Sequence, residues 1–448
     1  MSVIGAGQMS AADSPYRPSF GTVPEVLVGR ADELARHEQA LLAGPRNHRF
    51  TQAVIGERGV GKTVFLAVLA ERMRDAHDWI VAPYQARPGA DAIAELLTEL
   101  PDHAGKTWKG RGLRNLQKQL TVEVNAAVVK VSGSVTSNPS ATTRSPAIAL
   151  ASAAETIGAA AAKKGRGVLL MIDEAQSLSN EARADLGMIA QTIAHGKGVP
   201  IAITLAGTPE LSAQLLNSGT FLERLHRKQL GMLSRDESRL ALLEPAKLRG
   251  VTWTEEALNI AHAAAGGYPY FVQLVGSHAL EHAAPTAGSQ ITAVDALAGT
   301  KGMQSESDRI FEDRWKRLGL AQQSYLLAVT SVRLQNPQDN AVSTGAVAAE
   351  LGKGHSELTR VRESLIEDHR LLRAVERGEI EFAIPRFAAW LEEREIPRQE
   401  PAADPPEPRG LPRLGGAYRR GLPAAGTGPA PELPPTAETD TNPFEIDL

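Results

Sequence analysis

The sequence contains no cysteine. Disulfide frameworks and thiolate metal centres are excluded, which fits a reducing compartment, and the expected location is cytoplasmic. Aromatic residues make up only 4% of the chain, so its cores must be built from Leu, Val, Ile and Ala. No uninterrupted apolar run approaches the length of a membrane span, so no membrane partner is expected. Met1 to Ser14 show neither the basic region nor the long apolar stretch of a secretory leader. A strong charge of either sign is also missing. The formal net charge of −4 does not advertise a nucleic-acid-binding chain, although a local basic face stays open. What is present is length, 448 residues, and an ordinary 42% hydrophobic content, enough for two to four domains with proper cores.

One stretch organises the rest. Gly56-Glu57-Arg58-Gly59-Val60-Gly61-Lys62-Thr63 reads G-x-x-x-x-G-K-T. The apolar run Ala53-Val54-Ile55 precedes it, and Val64, Phe65, Leu66, Val68, Leu69 and Met73 follow at helical spacing. Strand, glycine-rich turn and helix are the context of a P-loop. Such a turn lets backbone N–H groups close round a triphosphate at a helix N-terminus, with the segment Gly56 to Val64 as its binding surface. Lys62 is then expected at the β- and γ-phosphates, and Thr63 at Mg²⁺.

A second anchor is Val168-Leu169-Leu170-Met171-Ile172-Asp173-Glu174. The apolar run suits a strand buried on both faces of a parallel sheet. It ends in two carboxylates at the edge where open α/β sheets bind ligands. Asp173 is expected in the Mg²⁺ shell, and Glu174 is expected to orient or deprotonate the attacking water. A further strand at 201–206 leads to Thr208, placed either to sense a γ-phosphate or to cap the helix after it. Arg224, Arg227 and Lys228 come close together; one of them is placed to reach a phosphate of its own or a neighbouring subunit, against a solvated charged face.

The remainder divides by composition. Residues 1–22 read as a flexible arm and 23–233 as the ATPase core, with a strand at 79–83, a helix at 89–100 and an insert at 101–165. The insert holds a basic run (Lys106, Lys109, Arg111, Arg114, Lys118), a Val-rich stretch at 122–131 suited to a hairpin, a polar loop at 132–146 and an alanine-rich helix. Residues 234–304 form an all-α lid that starts with the capping box Ser234-Arg235-Asp236-Glu237 and is broken at Gly266-Gly267-Tyr268-Pro269. In 305–395, helices at 307–318, 321–333, 344–351 and 357–369 precede two alternating runs round Gly378, the order of a winged helix. Helix 357–369, with Ser356 as its cap, is the candidate recognition helix. Arg360, Arg362, Arg370, Arg373 and Arg377 are the candidate phosphate contacts, tempered by nearby Glu357, Glu363, Glu367, Asp368, Glu376 and Glu379. The Pro-rich stretch 396–448 reads as disordered.

These motifs resemble the bacterial AAA+/STAND-type ATPases close to the origin-recognition and initiator branch. The resemblance rests on Val28-Gly29-Arg30 followed by Asp32-Glu33, on Gly56 to Thr63, on Ile172-Asp173-Glu174-Ala175-Gln176, on Leu205 to Leu211 and on Gly267-Tyr268-Pro269. It implies an α/β fold, a P-loop NTPase parallel-sheet core with an all-α lid and a C-terminal winged-helix domain. It makes Arg224 or Arg227 the arginine-finger candidate, and it places Val28, Gly29 and Arg30 by the adenine, Thr208 near the γ-phosphate, and Tyr268 and Pro269 at the nucleotide in place of the usual lid arginine. That substitution favours a slow switch. The expected activity is Mg²⁺-dependent ATP hydrolysis that controls an assembly, with ATP and Mg²⁺ as ligands and a nucleotide-dependent homo-oligomer. The expected partner is double-stranded DNA, as in an initiator or transposition regulator. The alternative is a signalling or defence switch with a protein partner, and a third reading is a scaffold that binds nucleotide without turnover. The intact set Lys62, Thr63, Asp173 and Glu174 opposes the third.

Overall fold

Five short runs pair into one parallel sheet: Gln52–Gly56 (β1), Ile80–Gln85 (β2), Val168–Asp173 (β3), Ile201–Gly207 (β4) and His226–Leu230 (β5), in the order β2-β3-β4-β1-β5. The computed structural model of the chain describes residues 14–19, 21–107, 145–195, 198–217, 221–286, 288–336, 340–375 and 378–395. All of them fall within one unit, Met1–Ile396. Every position of β1, β3 and β4 is buried, because helices cover both faces. Side-chain alternation sorts the sheet into two cores. Ala53 and Ile55 face a layer made by Ala92–Thr107 (α3), Pro146–Ala162 (α4) and Asn180–His195 (α5). Val54 faces Ala31–Leu42 (α1) and Lys62–Asp75 (α2).

Three details depart from expectation. Strand β5 was hidden in a charged stretch, because an edge strand paired only with β1 stays half exposed and needs no apolar run. Helix α3 runs past position 100 and through Pro101 to Thr107, with Ala104 buried on the same side as Leu97 and Leu100. Packing against α4 sustains it. The alanine-rich helix α4 is itself a core layer, since Leu150, Ala154 and Ile157 are wholly buried. The basic run from Lys109 to Lys118, the Val-rich stretch and the polar loop up to 144 lie outside the described residues. On α1, Leu42 is exposed while Leu34 and Leu41 are buried.

Ser234 caps Arg235–Lys247 (α7) through the expected box, with Glu237 N donating to Ser234 Oγ at 3.2 Å and Ser234 N donating to Glu237 Oε2 at 2.7 Å. Thr254 caps Glu255–Ala265 (α8), and Pro269–Ala283 (α9) follows. A two-residue parallel pair, Thr252–Trp253 (β6) with Gln290–Ile291 (β7), closes this layer. The next helix, Ala293–Lys316 (α10), is continuous, where a break near 304 was expected. Its Gly299 is a packing residue: a Cβ there would come within 2.7 Å of the Val275 carbonyl oxygen on α9. The absent side chain lets the two helices pack at close range.

The helix α10 carries the chain into Leu320–Gln335 (α11), Val342–Ser343 (β8), Thr344–Leu351 (α12), His355–Glu367 (α13), Leu372–Ala374 (β9), Glu379–Phe382 (β10) and Pro385–Glu395 (α14). The strands form an antiparallel sheet, β8-β10-β9. Helix α13 starts at His355 with Gly354 as its N-cap, two residues ahead of the expected Ser356 cap. One continuous core joins this module to the lid helices, with Phe311, Tyr325 and Phe387 at its centre.

The expected flexible arm is docked where it is described. Tyr16 is 2% exposed; its hydroxyl donates to the Leu242 carbonyl at 2.5 Å and accepts from Trp253 Nε1 at 2.9 Å. Arg17 N donates to Gln273 Oε1 at 3.1 Å, and Arg17 and Arg249 both pair with Glu25. Tyr16→Ala is expected to lower stability by about 3 kcal/mol, and Tyr16→Phe by about 1 kcal/mol, from urea unfolding followed by tryptophan fluorescence.

Candidate nucleotide site

Strand β4 separates β3 from β1, so three neighbouring strand ends bring Asp173-Glu174, Thr208 and the P-loop to one edge. The register that sets Ile55 opposite Gly207 brings Thr208 beside the start of the loop. The loop itself ends on α2, which begins at Lys62. Lys62 is 5% exposed and donates from Nζ to the carbonyls of Gly56 and Glu57, both at 2.8 Å. Burial pushes its ammonium pKa down, and the carboxylates of Glu174, Asp173 and Glu57 oppose this. Thr63 Oγ1 donates to Asp173 Oδ2 at 2.6 Å. Two hard oxygen donors at the loop mouth fit Mg²⁺, which takes few protein ligands and completes its shell with substrate phosphates and water. Gly59 adopts φ +76°, and a Cβ there would lie 2.0 Å from the Tyr268 hydroxyl. Only glycine allows the lid to lie this close to the loop, and Tyr268 donates to the Arg58 carbonyl at 2.9 Å. Burial pushes the Tyr268 phenol up to about 12, so it stays a donor at neutral pH.

Glu174 sits in the left-handed region at φ +53°, uncommon for a residue with a side chain. Its N–H donates to Asp173 Oδ1 at 2.9 Å. Its Oε2 accepts from Gln176 Nε2 at 2.7 Å and faces Arg370 at 3.4 Å and Arg58 at 3.6 Å. Burial raises its pKa, but the Gln176 hydrogen bond and the charges of Arg58, Lys62 and Arg370 outweigh that and hold the carboxyl below its ordinary value. Gln176 also accepts from Thr208 N at 3.1 Å, so one amide ties the ends of β3 and β4. Thr208 occupies the N-cap position of Pro209–Leu216 (α6), yet its side chain makes no capping bond. It is 3% exposed, and its Oγ1 has no partner among the described residues.

These residues enclose a cavity of about 690 Å³. Of the sequence candidates, Val28, Arg30, Arg58 to Val64, Glu174 and Pro269 line it. Arg30 is also a clamp, donating to the carbonyls of Val60 at 3.3 Å and of Gly231. Gly29 packs on Leu233 and on Glu237 at the start of α7, away from the cavity wall. The docked N-terminal segment adds Arg17, Gly21 and Thr22 to the lining, which no sequence motif signalled.

A second cavity of about 350 Å³ adjoins the first, and Arg58 and Arg370 line both. Its other walls include Glu57, Thr208, Tyr268, Arg314 and Arg373. Arg314 comes from the end of α10; burial pushes its pKa down, and the neighbouring Arg58 and Arg317 charges add to that, against the Tyr268 phenol.

The arginine-finger candidates do not gather at the site, whereas two of the candidate phosphate contacts of the C-terminal module do. Arg224 is exposed on the short 3-10 turn before β5, and Arg227 lies within β5, opposite Ala53. Three residues of strand separate Ala53 from Gly56, about 10 Å, so Arg227 does not reach the loop of its own chain. It donates to the Glu223 carbonyl at 2.9 Å instead. Arg373 was expected to meet DNA. It faces the P-loop, paired with Glu57 at 3.3 Å and with Glu381 across the hairpin. Arg370, from the same expected set, pairs with Glu174. Arg360 is exposed on α13, whereas Arg362 is half buried near the Tyr325 phenol. Arg377 lies outside the described residues.

Residues 26–203 match the family model of the AAA ATPase domain, and residues 308–391 match a domain of unknown function, DUF8462. No curated protein matches the chain. Among solved structures, the Walker-type ATPase PABY2304 of Pyrococcus abyssi is similar, with a TM-score of 0.50 and 15% identity over 83% of this chain and 97% of that one. Cdc6p from Pyrobaculum aerophilum (TM-score 0.41, 15% identity, 85% and 98% covered) is another. So is the Aeropyrum pernix ORC1 protein, solved in complex with DNA (TM-score 0.41, 16% identity, 83% and 94% covered). Residues 26–203 thus carry the P-loop fold of an AAA ATPase domain, and the candidate nucleotide-site residues gather at its sheet edge.

Proposed function

We propose that the chain is a Mg²⁺-dependent ATP hydrolase that works as a nucleotide-controlled assembly switch, with the C-terminal module as its responsive part. The observation that carries this reading is the pairing of that module with the site: Arg370 on Glu174 and Arg373 on Glu57. A change at the phosphates is then felt by residues of a separate module, as a two-state switch requires. The P-loop amides and Lys62 hold the β- and γ-phosphates, while Thr63 and Asp173 hold the metal. Glu174 takes the proton of a water that attacks the γ-phosphorus; the bond to the β–γ bridging oxygen breaks, and ADP and phosphate leave. A carboxylate held below its ordinary pKa by the Gln176 hydrogen bond and by the charges of Arg58, Lys62 and Arg370 is a weak base, which supports slow turnover. The buried Thr208 hydroxyl supports the γ-phosphate-sensing role over capping.

The order helix, strand, two helices, hairpin reads as a winged helix. On its α13, exposed Glu357, Arg360 and Glu363 mix charge of both signs, and Arg373 is engaged with the core. A DNA face needs a positive surface, so these features favour a protein partner. The DNA reading has the exposure of Arg360 in its favour. Exposed Arg224 is the candidate finger toward a neighbouring copy.

Light scattering of the unaltered chain with a non-hydrolysable ATP analogue and with ADP, each with Mg²⁺, tests the switch: a mass that changes with the nucleotide supports it, and identical masses oppose it. A labelled duplex in the same solutions separates the partners. Little anisotropy change at either of two salt concentrations is expected. Steep salt-sensitive binding that Arg360→Ala weakens would establish the DNA reading instead.

A further inference from the structure

Arg370 holds an unusual position. It ends the turn from α13 into β9 at φ +53°, a conformation that a bulky side chain adopts at a cost of about 1–3 kcal/mol. The strain places its guanidinium on the carboxylate that sits last on the β3 edge, at 3.4 Å, with both side chains about four-fifths buried (23% and 22% exposed). The same guanidinium lines the nucleotide cavity beside Lys62 and Thr63 and the second cavity beside Thr208. The position where a lid arginine would stand is filled by Tyr268 and Pro269, whose contacts are a hydrogen bond to the Arg58 carbonyl and the cavity wall. Neither brings positive charge to the phosphates.

We propose that Arg370 is a γ-phosphate-reading residue supplied by the C-terminal module, and that Glu174 and the γ-phosphate compete for its guanidinium. The inference rests on the ATPase reading above. The pair is a single Nη1–Oε2 contact at 3.4 Å, and a γ-phosphate, with more negative charge than a carboxylate, offers the guanidinium a bidentate partner instead. A triphosphate draws Arg370 off Glu174, which frees that carboxylate to act as a base and shifts the α13–β9 turn. A diphosphate offers no γ-oxygen, so the pair stays closed and the module stays seated. Arg58, 3.6 Å from the same Glu174 oxygen, stays paired with the carboxylate when Arg370 leaves. The nucleotide thus controls catalysis and the module through one side chain. Arg370 is a positioning residue for Glu174 in the diphosphate state and a substrate contact in the triphosphate state.

The test is equilibrium binding of fluorescent ATP and ADP analogues, with Mg²⁺, to the full chain and to Arg370→Ala and Arg370→Lys. Arg370→Ala is expected to lose about tenfold in ATP affinity, with ADP affinity changed less than twofold, as for one charge-assisted hydrogen bond. Arg370→Lys, which keeps the charge but not the fork, recovers part of the preference and shows that the turn still folds. Hydrogen exchange supplies a readout independent of turnover. In the unaltered chain, amides of 368–375 exchange faster with a non-hydrolysable ATP analogue than with ADP; in Arg370→Ala the two profiles coincide. Equal losses of ATP and ADP affinity, or an unchanged ATP preference with both profiles retained, would overturn the inference. If the unaltered chain bound neither nucleotide, the ATPase reading itself would fall.

Discussion

Glu174→Gln lowers ATP turnover by about 10²–10⁴-fold, the range for removing a positioned general base, while ATP affinity stays within about threefold. The amide is isosteric and keeps an oxygen for the Gln176 hydrogen bond, so the ends of β3 and β4 remain tied. It cannot take a proton from water. It also releases Arg58 and Arg370 from their ion pairs, which leaves more positive charge for the triphosphate. Phosphate release under saturating Mg²⁺-ATP, set against a titration with fluorescent ATP, reads the two quantities separately. Hydrolysis at the unaltered rate would remove Glu174 from its role.

Lys62→Ala acts on binding. The ammonium is the cation most deeply enclosed by the loop, and its present partners are backbone carbonyls of Gly56 and Glu57. Those two carbonyls show where the side chain lies: folded along the loop that is to receive the phosphates. Its removal takes away charge-assisted bonds to two phosphate groups, and an expected loss of about two to three orders of magnitude in ATP affinity follows. Lys62→Arg does not restore it, since the larger planar group does not fit a 5% exposed site. Calorimetric titration with Mg²⁺-ATP measures the loss; an affinity within a few-fold of the unaltered chain would mean that the loop does not hold phosphate.

The two predictions differ in what makes them legible. Lys62 and Thr63 belong to one strand–turn–helix unit, and Asp173 and Glu174 end one buried strand, so spacing and apolar runs were enough to find them. Thr208 was half legible: its place after β4 could be read, but the choice between sensing and capping needed the orientation of one hydroxyl. Arg224 and Arg227 were legible only as charge. Strand β5, which carries Arg227 away from the loop, has no apolar signature because one of its edges is open to solvent. The helix expected to start at 307 begins at Ala293 instead and runs unbroken to Lys316, because packing on the neighbouring lid helix sustains it, and that contact cannot be read from local pattern.

The sequence by itself determined the glycine-rich strand–turn–helix unit, the paired carboxylates at the end of β3 and the capped lid helices. These are local patterns, set by 3.6- and 2-residue periods and by the conformational freedom of a few glycines. Only the tertiary structure decided which way the arginines of the C-terminal module point. Arg370 meets Glu174 across 196 residues of chain, and Arg373 meets Glu57 across 316. A charged residue at the turn of a small module looks solvent-facing in sequence, and only the packing of the whole chain places it on the Glu174 carboxylate. Tyr16 follows the same logic: an aromatic in a polar, Pro-containing segment becomes a buried residue because the lid, more than two hundred residues later, supplies Leu242 and Trp253 as its partners.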